Sequence, residues 1–475
     1  MSDILRPDIC IVGAGSAGLT IAAAGAAFGA SVVLVEKGKM GGDCLNYGCV
    51  PSKALIAAAK HAHAIVEART FGVSAGEVKV DYKRVHDHIH EVIAAIHPND
   101  SEERFTALGV NVIRAPGRFS GRRTLMAGET KIRARRFVIA AGSSPLVPPI
   151  PGLDTVPFFT NESIFDLTKL PRHLVIIGGG PIGMEIAQAF VRLGAEVTVL
   201  EALAAMGQDD PELAGRVVDA VRADGAVIRE GAKVVRVAKY GRAGVRVTIE
   251  TQTGQETIEA SDLLVAVGRA PNVGDLGLAE AGVAHDRGGI MVNAKLRTTN
   301  RRIYAIGDIA GGYQFTHWAG YHGGLVIRSI LFRFGGKVNN DLIAWATFTD
   351  PELAHVGLSE EQARQRHRDI QILRWPYAEN DRAQTERATT GLVKVIVTKK
   401  GRILGAGVVG RNAGELIALW ALAASQKLNI KALTGTILPY PTLSETAKRV
   451  AVTYFTPSLQ NPWLKRLIRF LRLFG

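Results

Sequence analysis

Two stretches of the chain carry the same order of apolar, small and acidic positions. DICIVGAGSAGLTIAAAGAAFGASVVLVE at 8–36 runs apolar strand, Gly-rich turn, Ala-rich helix, glycine, apolar strand, acid. HLVIIGGGPIGMEIAQAFVRLGAEVTVLE at 173–201 does the same. In the first, Gly13, Gly15 and Gly18 are followed by Glu36; in the second, Gly178, Gly180 and Gly183 are followed by Glu201. The acid falls 18 positions after the third glycine both times. A G-x-G-x-x-G run means little alone, but between a strand and a helix, with an acid ending the next strand, it predicts a dinucleotide-binding turn. The first glycine permits the tight turn, the second admits a pyrophosphate, and the third lets helix and strand approach. The helix N-terminus then offers unpaired N–H groups to phosphate. Two such copies imply two dinucleotides on one chain, and hence electron transfer between them.

Later segments fit that plan. RRFVIAAGSSP at 135–145 and DLLVAVGRAPNV at 262–273 each read as a strand ending in a small-residue turn, where the chain crosses between domains. RRIYAIGDIAGG at 301–312 is a strand ending in Gly-Asp, which sets Asp308 against a cofactor chain. From about residue 341 the pattern changes to strands such as GLVKVIVTK and RILGAGVVG between helical stretches. The expected fold is therefore α/β, with two Rossmann-like three-layer dinucleotide-binding domains followed by a C-terminal α+β domain. The boundaries read as 1–145 with 273–340, 146–272, 341–460, and a short tail at 461–475.

Composition changes this picture little. The 475 residues, 47% hydrophobic and 21% charged, suit a globular protein of two or three domains. The net charge of +13 is spread along the chain without a recognition helix, so it reads as a solvated surface and nucleic-acid binding is not expected. No apolar run has bilayer length and no secretory pattern opens the chain, so a cytoplasmic location is expected. Histidines near 61–97, with His86 and His90 four apart, lack a carboxylate–histidine signature, and no metal site is expected.

Three cysteines cannot frame a secreted fold, but two of them stand close together in GGDCLNYGCVPSK at 41–53. A thiol at a helix N-terminus is acidified. Lys53, four residues after Cys49, shares its helical face and suits a neighbouring thiolate or a reduced, anionic flavin. Cys10 alternates within the first strand and reads as core.

At these residues the chain resembles the class I pyridine nucleotide–disulfide oxidoreductases, the family of dihydrolipoamide dehydrogenase, glutathione reductase and mercuric reductase. GGDCLNYGCVPSK is similar to that family's redox-active disulfide motif. GAGSAG, AAGSSP, GGGPIGMEIA, VGRAPN, YAIGD, FTDPELAHVGLSE and PTLSE follow in family order over nearly the whole chain. The resemblance implies FAD in the first fold, NAD(P)H in the second and a homodimer through the C-terminal domain. It implies that Cys49 is the thiol facing flavin, that Cys44 meets the substrate, and that Lys53 sits near the flavin with Glu185 as its ion-pair partner. Glu36, Gly117, Ala141, Gly142, Ser143, Asp308, Gln314, Phe315, Thr316 and His317 match FAD contacts, alongside the first glycine loop. Val234, Gly268 and Glu201 match NAD contacts, alongside the second. Glu201 would repel a 2′-phosphate, and no arginine occurs in the following ALAAMGQDDPELA, so NADH is expected over NADPH.

One block departs from the family pattern. Disulfide-reducing members carry a histidine before Pro-Thr, with a glutamate to orient it; here ILPYPTLSE sets Tyr440 in that place and keeps Glu445. Tyrosine, with a pKa near ~10, is a poor base at neutral pH, though it can donate a hydrogen bond. Mercuric reductases are similar in having tyrosine there, but use a C-terminal cysteine pair that NPWLKRLIRFLRLFG lacks. The expectation is an NADH-dependent flavin enzyme, mercuric-reductase-like, whose final acceptor is a metal ion, a quinone or a small disulfide. The alternatives are a dihydrolipoamide dehydrogenase and, from another class, a redox-silent flavin-binding scaffold. The tail sets Trp463, Leu467, Phe470, Leu471 and Phe474 on one helical face and Lys465, Arg469 and Arg472 on another. It suits a helix packed on its own dimer, a partner protein or a peripheral membrane contact.

Overall fold

The structure, a computed structural model, describes residues 4–74, 76–242 and 244–474. The chain divides into two compact units. One takes the residues through Ala202 together with Arg229–Val338, and the other takes Leu203–Ile228 with the residues from Asn339 onward.

The first unit is built on two parallel sheets. Five strands lie in the order Ile303–Ala305, Arg136–Ile139, Ile9–Val12, Val32–Glu36 and Val110–Arg114, all parallel. Their near-continuous Val/Ile runs are those of strands covered on both faces. Alternate side chains go to opposite layers. Ile9, Ile11, Val32, Leu34 and Val138 pack against helices Ser16–Ala27 and Thr316–Leu331. Cys10, Val12, Val33, Val35, Phe137 and Ile139 pack against an antiparallel meander through Phe119, Leu125 and Ile132. Cys10 is accordingly a fully buried core residue. The stretch from Gly117 to Ile132 is a three-stranded antiparallel meander.

The second sheet repeats the scheme. Glu196–Leu200, His173–Ile177 and Asp262–Val265 run parallel, and Val175, Ile177, Leu263 and Val265 face a meander carrying Val237, Val245, Val247 and Ile249. The two crossing segments meet in a short antiparallel ribbon that pairs Ser143 with Pro271 and Pro145 with Arg269.

The second unit holds a five-stranded antiparallel sheet in the order Ala344–Thr347, Glu352–Gly357, Ile403–Gly410, Leu392–Thr398 and Ile370–Pro376. One face packs Val356, Val395, Ala406 and Val408 against Ile417 and Trp420 of helix Ala413–Ser425 and Val450 of helix Glu445–Thr453. On the other face Gly407 gives room to Leu213 of helix Pro211–Ala223, since a Cβ there would stand 2.3 Å from Leu213 Cδ1. Lys394, opposite Gly407, is buried and reaches Asp210 at 2.7 Å, Glu360 at 2.8 Å and Glu212 at 3.0 Å.

Candidate active site

Both nucleotide turns are assembled alike. Gly13 holds φ +107°, and a Cβ on it would stand 2.3 Å from the Ala140 carbonyl oxygen; one on Gly18 would stand 1.9 Å from that of Gly13. Gly178, at φ +111°, and Gly183 meet the Ala266 and Gly178 carbonyl oxygens at 2.4 and 2.0 Å. The protein's own backbone therefore forbids a side chain at these four positions. The middle glycines differ. Nothing lies within 4 Å of a Cβ on Gly180, and a Cβ on Gly15 would meet only Gly42 Cα, at 3.9 Å. Gly15 and Gly180 are also the N-caps of helices Ser16–Ala27 and Pro181–Arg192, and neither helix has a side-chain cap. Each turn thus leaves an open cradle over a helix N-terminus, the setting that a pyrophosphate fits.

The acid closes each turn in the same way. Glu36 accepts from the Ala14 N–H at 2.6 Å, and Glu201 accepts from the matching Gly179 N–H at 2.8 Å. Glu36 also accepts from Gly38 N–H at 2.6 Å, which fixes its carboxylate at the end of strand Val32–Glu36.

Around the entrance to the first fold, Ser143 donates to Asp308 Oδ2 at 2.6 Å. Arg269 forks onto Ser143, with Nε donating to Oγ and Nη2 to the carbonyl oxygen, both at 2.8 Å. The same guanidinium reaches Asp43 at 3.0 Å and Asn161 at 3.3 Å, while Asn272 donates to Ala141 O at 2.8 Å. Burial raises the Asp308 carboxyl above its usual range, and Ser143 and Arg269 oppose that shift. Gly142, at φ +65°, and Gly268, at φ +124°, have open space where a Cβ would stand, so their backbones are approachable from outside. Gly117, by contrast, packs on Val35 and Val12. Val234 lies on strand Lys233–Tyr240 opposite Ile249, half-buried beside a bulge. Gln314 and Phe315 lead into helix Thr316–Leu331, and His317, in its first turn, stacks on Phe315 with centroids 5.4 Å apart.

Cys44 lies in the short helix Gly42–Asn46, and Cys49 is the first residue of helix Cys49–Glu67. Gly42 permits the approach of the first nucleotide turn, since a Cβ there would stand 2.7 Å from Gly15 Cα. Both cysteines are free thiols and hydrogen-bond one another. That bond lowers Cys49 to about 6, against burial, with help from the Thr316 hydroxyl and the Lys53 charge; Asp43 opposes it. Cys44 is raised, first by the same hydrogen bond and then by burial. Cys49 is therefore the thiolate of the pair at neutral pH and Cys44 the protonated partner. The Thr316 Oγ1 lies 3.5 Å from Cys49 Sγ. Lys53, one turn along from Cys49, pairs with the buried Glu185 at 2.8 Å.

Tyr440 and Glu445 belong to the second unit. Tyr440 is exposed, and its hydroxyl donates to Asp381 Oδ2 at 2.9 Å, which raises it further above neutrality. Glu445 begins helix Glu445–Thr453, 3.9 Å from Arg449. Arg269, Asn272, Asn161 and Asp43 were not singled out from sequence. Arg269 follows Gly268 directly within VGRAPN, so its place in that block was the available signal.

Comparison with known proteins agrees with this geometry. Residues 7–323 match the pyridine nucleotide-disulphide oxidoreductase family and residues 343–451 its dimerisation domain, which supports a homodimer. A mercuric reductase of Bacillus cereus is 35% identical over 450 residues, covering 94% of this chain and 71% of its own length. A dihydrolipoyl dehydrogenase of Thermus scotoductus is 35% identical over 455 residues, covering 92% and 95%. Among solved structures, the Cu(II) complex of RclA, the HOCl-induced flavoprotein disulfide reductase of Escherichia coli, is 30% identical with a TM-score of 0.82. That match covers 93% of this chain and 98% of RclA. Twin nucleotide turns, a cysteine pair with one acidified member and these relationships agree: the chain belongs to the class I pyridine nucleotide–disulfide oxidoreductases, whose members use FAD and NAD(P).

Proposed function

We propose that this enzyme oxidises NADH and delivers the electrons through Cys44 and Cys49 to a thiophilic metal ion. The observation that carries the reading is the hydrogen-bonded cysteine pair, with one member held as thiolate beside Lys53–Glu185. The Gly13–Gly18 turn, Glu36 and Asp308 would hold FAD in the first fold, where it would supply two-electron transfer between NADH and the Cys44–Cys49 disulfide. Gly15 and Gly180 leave room for two pyrophosphates, and the hydrogen-bonded Asp308–Ser143–Arg269 cluster would contribute to holding FAD. Glu201 sets a negative charge where a 2′-phosphate would sit, which supports NADH over NADPH.

The chemistry at sulfur balances. Two electrons and two protons break the S–S bond and leave two thiols, and Cys49 then gives up its proton because its pKa is about 6. Thiolates are the preferred ligands of soft metal ions. Re-forming the S–S bond returns two electrons, enough for one mercuric ion or two cupric ions. The acceptor class draws support from the mercuric reductases and from RclA, whose solved structure is a Cu(II) complex. It draws further support from Tyr440, which offers no neutral base and spends its donor on Asp381. A reducing, cytoplasmic setting suits a cysteine pair that cycles in this way.

A second reading, dihydrolipoamide dehydrogenase, is favoured by relatives of equal identity and by the retained Glu445. Anaerobic NADH oxidation with the purified holoenzyme separates the two. Turnover with Hg(II) or Cu(II) and little with lipoamide supports metal reduction, and the reverse ranking replaces it with the lipoamide reading. A flavin that NADH does not reduce, or cysteines that stay oxidised, would sink both.

A further inference from the structure

The helix Pro462–Leu471 has no buried residue, although six of its ten side chains are large and apolar. Trp463 is 75% exposed and Phe474, just beyond, 74%. On a helical projection Trp463, Leu464, Leu467, Ile468, Phe470 and Leu471 form one continuous face. Lys465, Arg466, Arg469 and Arg472 lie together on the other. The residues from 446 to 474 include six basic side chains and no acidic one. The segment lies beyond residue 451, where the match to the dimerisation domain ends.

We propose that this helix docks the enzyme on an anionic lipid surface, lying in the plane of the interface. Ten residues of helix extend about 15 Å, half the hydrocarbon thickness, so the element rests on a bilayer rather than crossing it. Among the described residues no helix is long and apolar enough to cross a membrane. The exposed apolar face supplies burial in the acyl boundary, while the unneutralised cations meet anionic headgroups. The Arg466 guanidinium carbon lies 5.4 Å from the Trp463 ring centroid, a cation–π contact where the basic face meets the apolar one. Asn461 caps the helix by accepting from Trp463 N–H at 2.9 Å, so the anchor is preformed at its start. A contact between two copies of this helix would set cation against cation, since the segment itself brings no carboxylate.

The test is co-sedimentation of the full-length holoenzyme with vesicles of phosphatidylcholine alone or mixed with phosphatidylglycerol, alongside its mass in solution. Binding is expected only to the phosphatidylglycerol vesicles. It should weaken about a hundredfold in the triple variant Lys465→Gln/Arg469→Gln/Arg472→Gln, fall away in Leu467→Asp, and decline as salt rises. All variants should keep the flavin spectrum and dimer mass of the parent. No vesicle binding by the parent, or binding that both variants retain, overturns the proposal. So does a shift of the variants to monomer, which would make the helix an interface between subunits.

Discussion

Lys53 Nζ lies 2.8 Å from the buried Glu185 Oε2, tying the helix that begins with Cys49 to the helix that begins at the second nucleotide turn. The positions are 132 residues apart. The pair holds a cation one turn from the thiolate and couples the helix of Cys49 to the second dinucleotide fold.

This arrangement fixes a pH dependence. The reduced enzyme should show alkylation of Cys49 rising through a midpoint near pH 6, because the thiolate is the nucleophile. Lys53→Met removes a charge that favours the thiolate, so the midpoint should rise by about one unit. Asp43→Asn removes an opposing charge and should lower it. Equal midpoints in parent and both variants would show that the flanking charges do not set the thiolate.

The glycines should separate by role. Gly183→Ala drives a methyl into the Gly178 carbonyl and should cost about 2 kcal/mol or more of stability. Gly180→Ala meets open space, so melting should be nearly unchanged while the KM for NADH rises about tenfold or more. Equal losses of stability would remove the distinction between packing and binding glycines.

Glu201 should govern the nucleotide. Glu201→Ala removes the acceptor for Gly179 N–H and the negative charge proposed to repel a 2′-phosphate. The KM for NADH should rise about tenfold, as befits a lost hydrogen bond to a charged group, and the preference for NADH over NADPH should shrink. A parent enzyme that uses NADPH as well as NADH would refute the assignment.

Tyr440→His sets a group with a pKa near ~6.5 where tyrosine stands, with Glu445 still at the start of its helix. Lipoamide turnover should increase about a hundredfold, the range of one general base. If lipoamide turnover is already rapid in the parent, the tyrosine does not limit this chemistry.

Acid should loosen the second unit through its buried charge cluster. Arg374 and Lys394 depress Glu212 from 4.5 to about 2. A depressed carboxyl contributes its full stability above its unfolded value, so that contribution should fade as pH drops from 4.5 toward 2. Lys394→Met leaves Asp210, Glu212 and Glu360 without their shared cation and should cost about 3 kcal/mol at neutral pH. Thermal melting over a pH series checks both. A variant as stable as the parent at pH 7 would show that the cluster contributes nothing.

The sequence by itself determined the elements whose causes are local. Apolar runs bounded by glycine set the parallel strands, and glycine spacing set both nucleotide turns. The acids at 36 and 201 were legible because each ends the strand that leaves its turn. Cys49 and Lys53 were legible because four residues make one helical turn. Tertiary structure alone decided what depends on approach between distant segments. Arg269 meets Ser143 and Asp43 only because two crossing strands pair. The Thr316 hydroxyl, expected among FAD contacts, stands at Cys49 Sγ because helix Thr316–Leu331 starts beside the redox helix. Tyr440 donates its hydroxyl hydrogen bond to Asp381, 59 positions away. Leu203–Ile228, which reads as part of the second nucleotide fold, groups with the C-terminal unit, where Lys394 and Gly407 receive its helix. Periodicity and turn chemistry act over a few residues and can be read along a line. The pairing of charges and hydroxyls follows from packed faces, and that packing exists only in the folded chain.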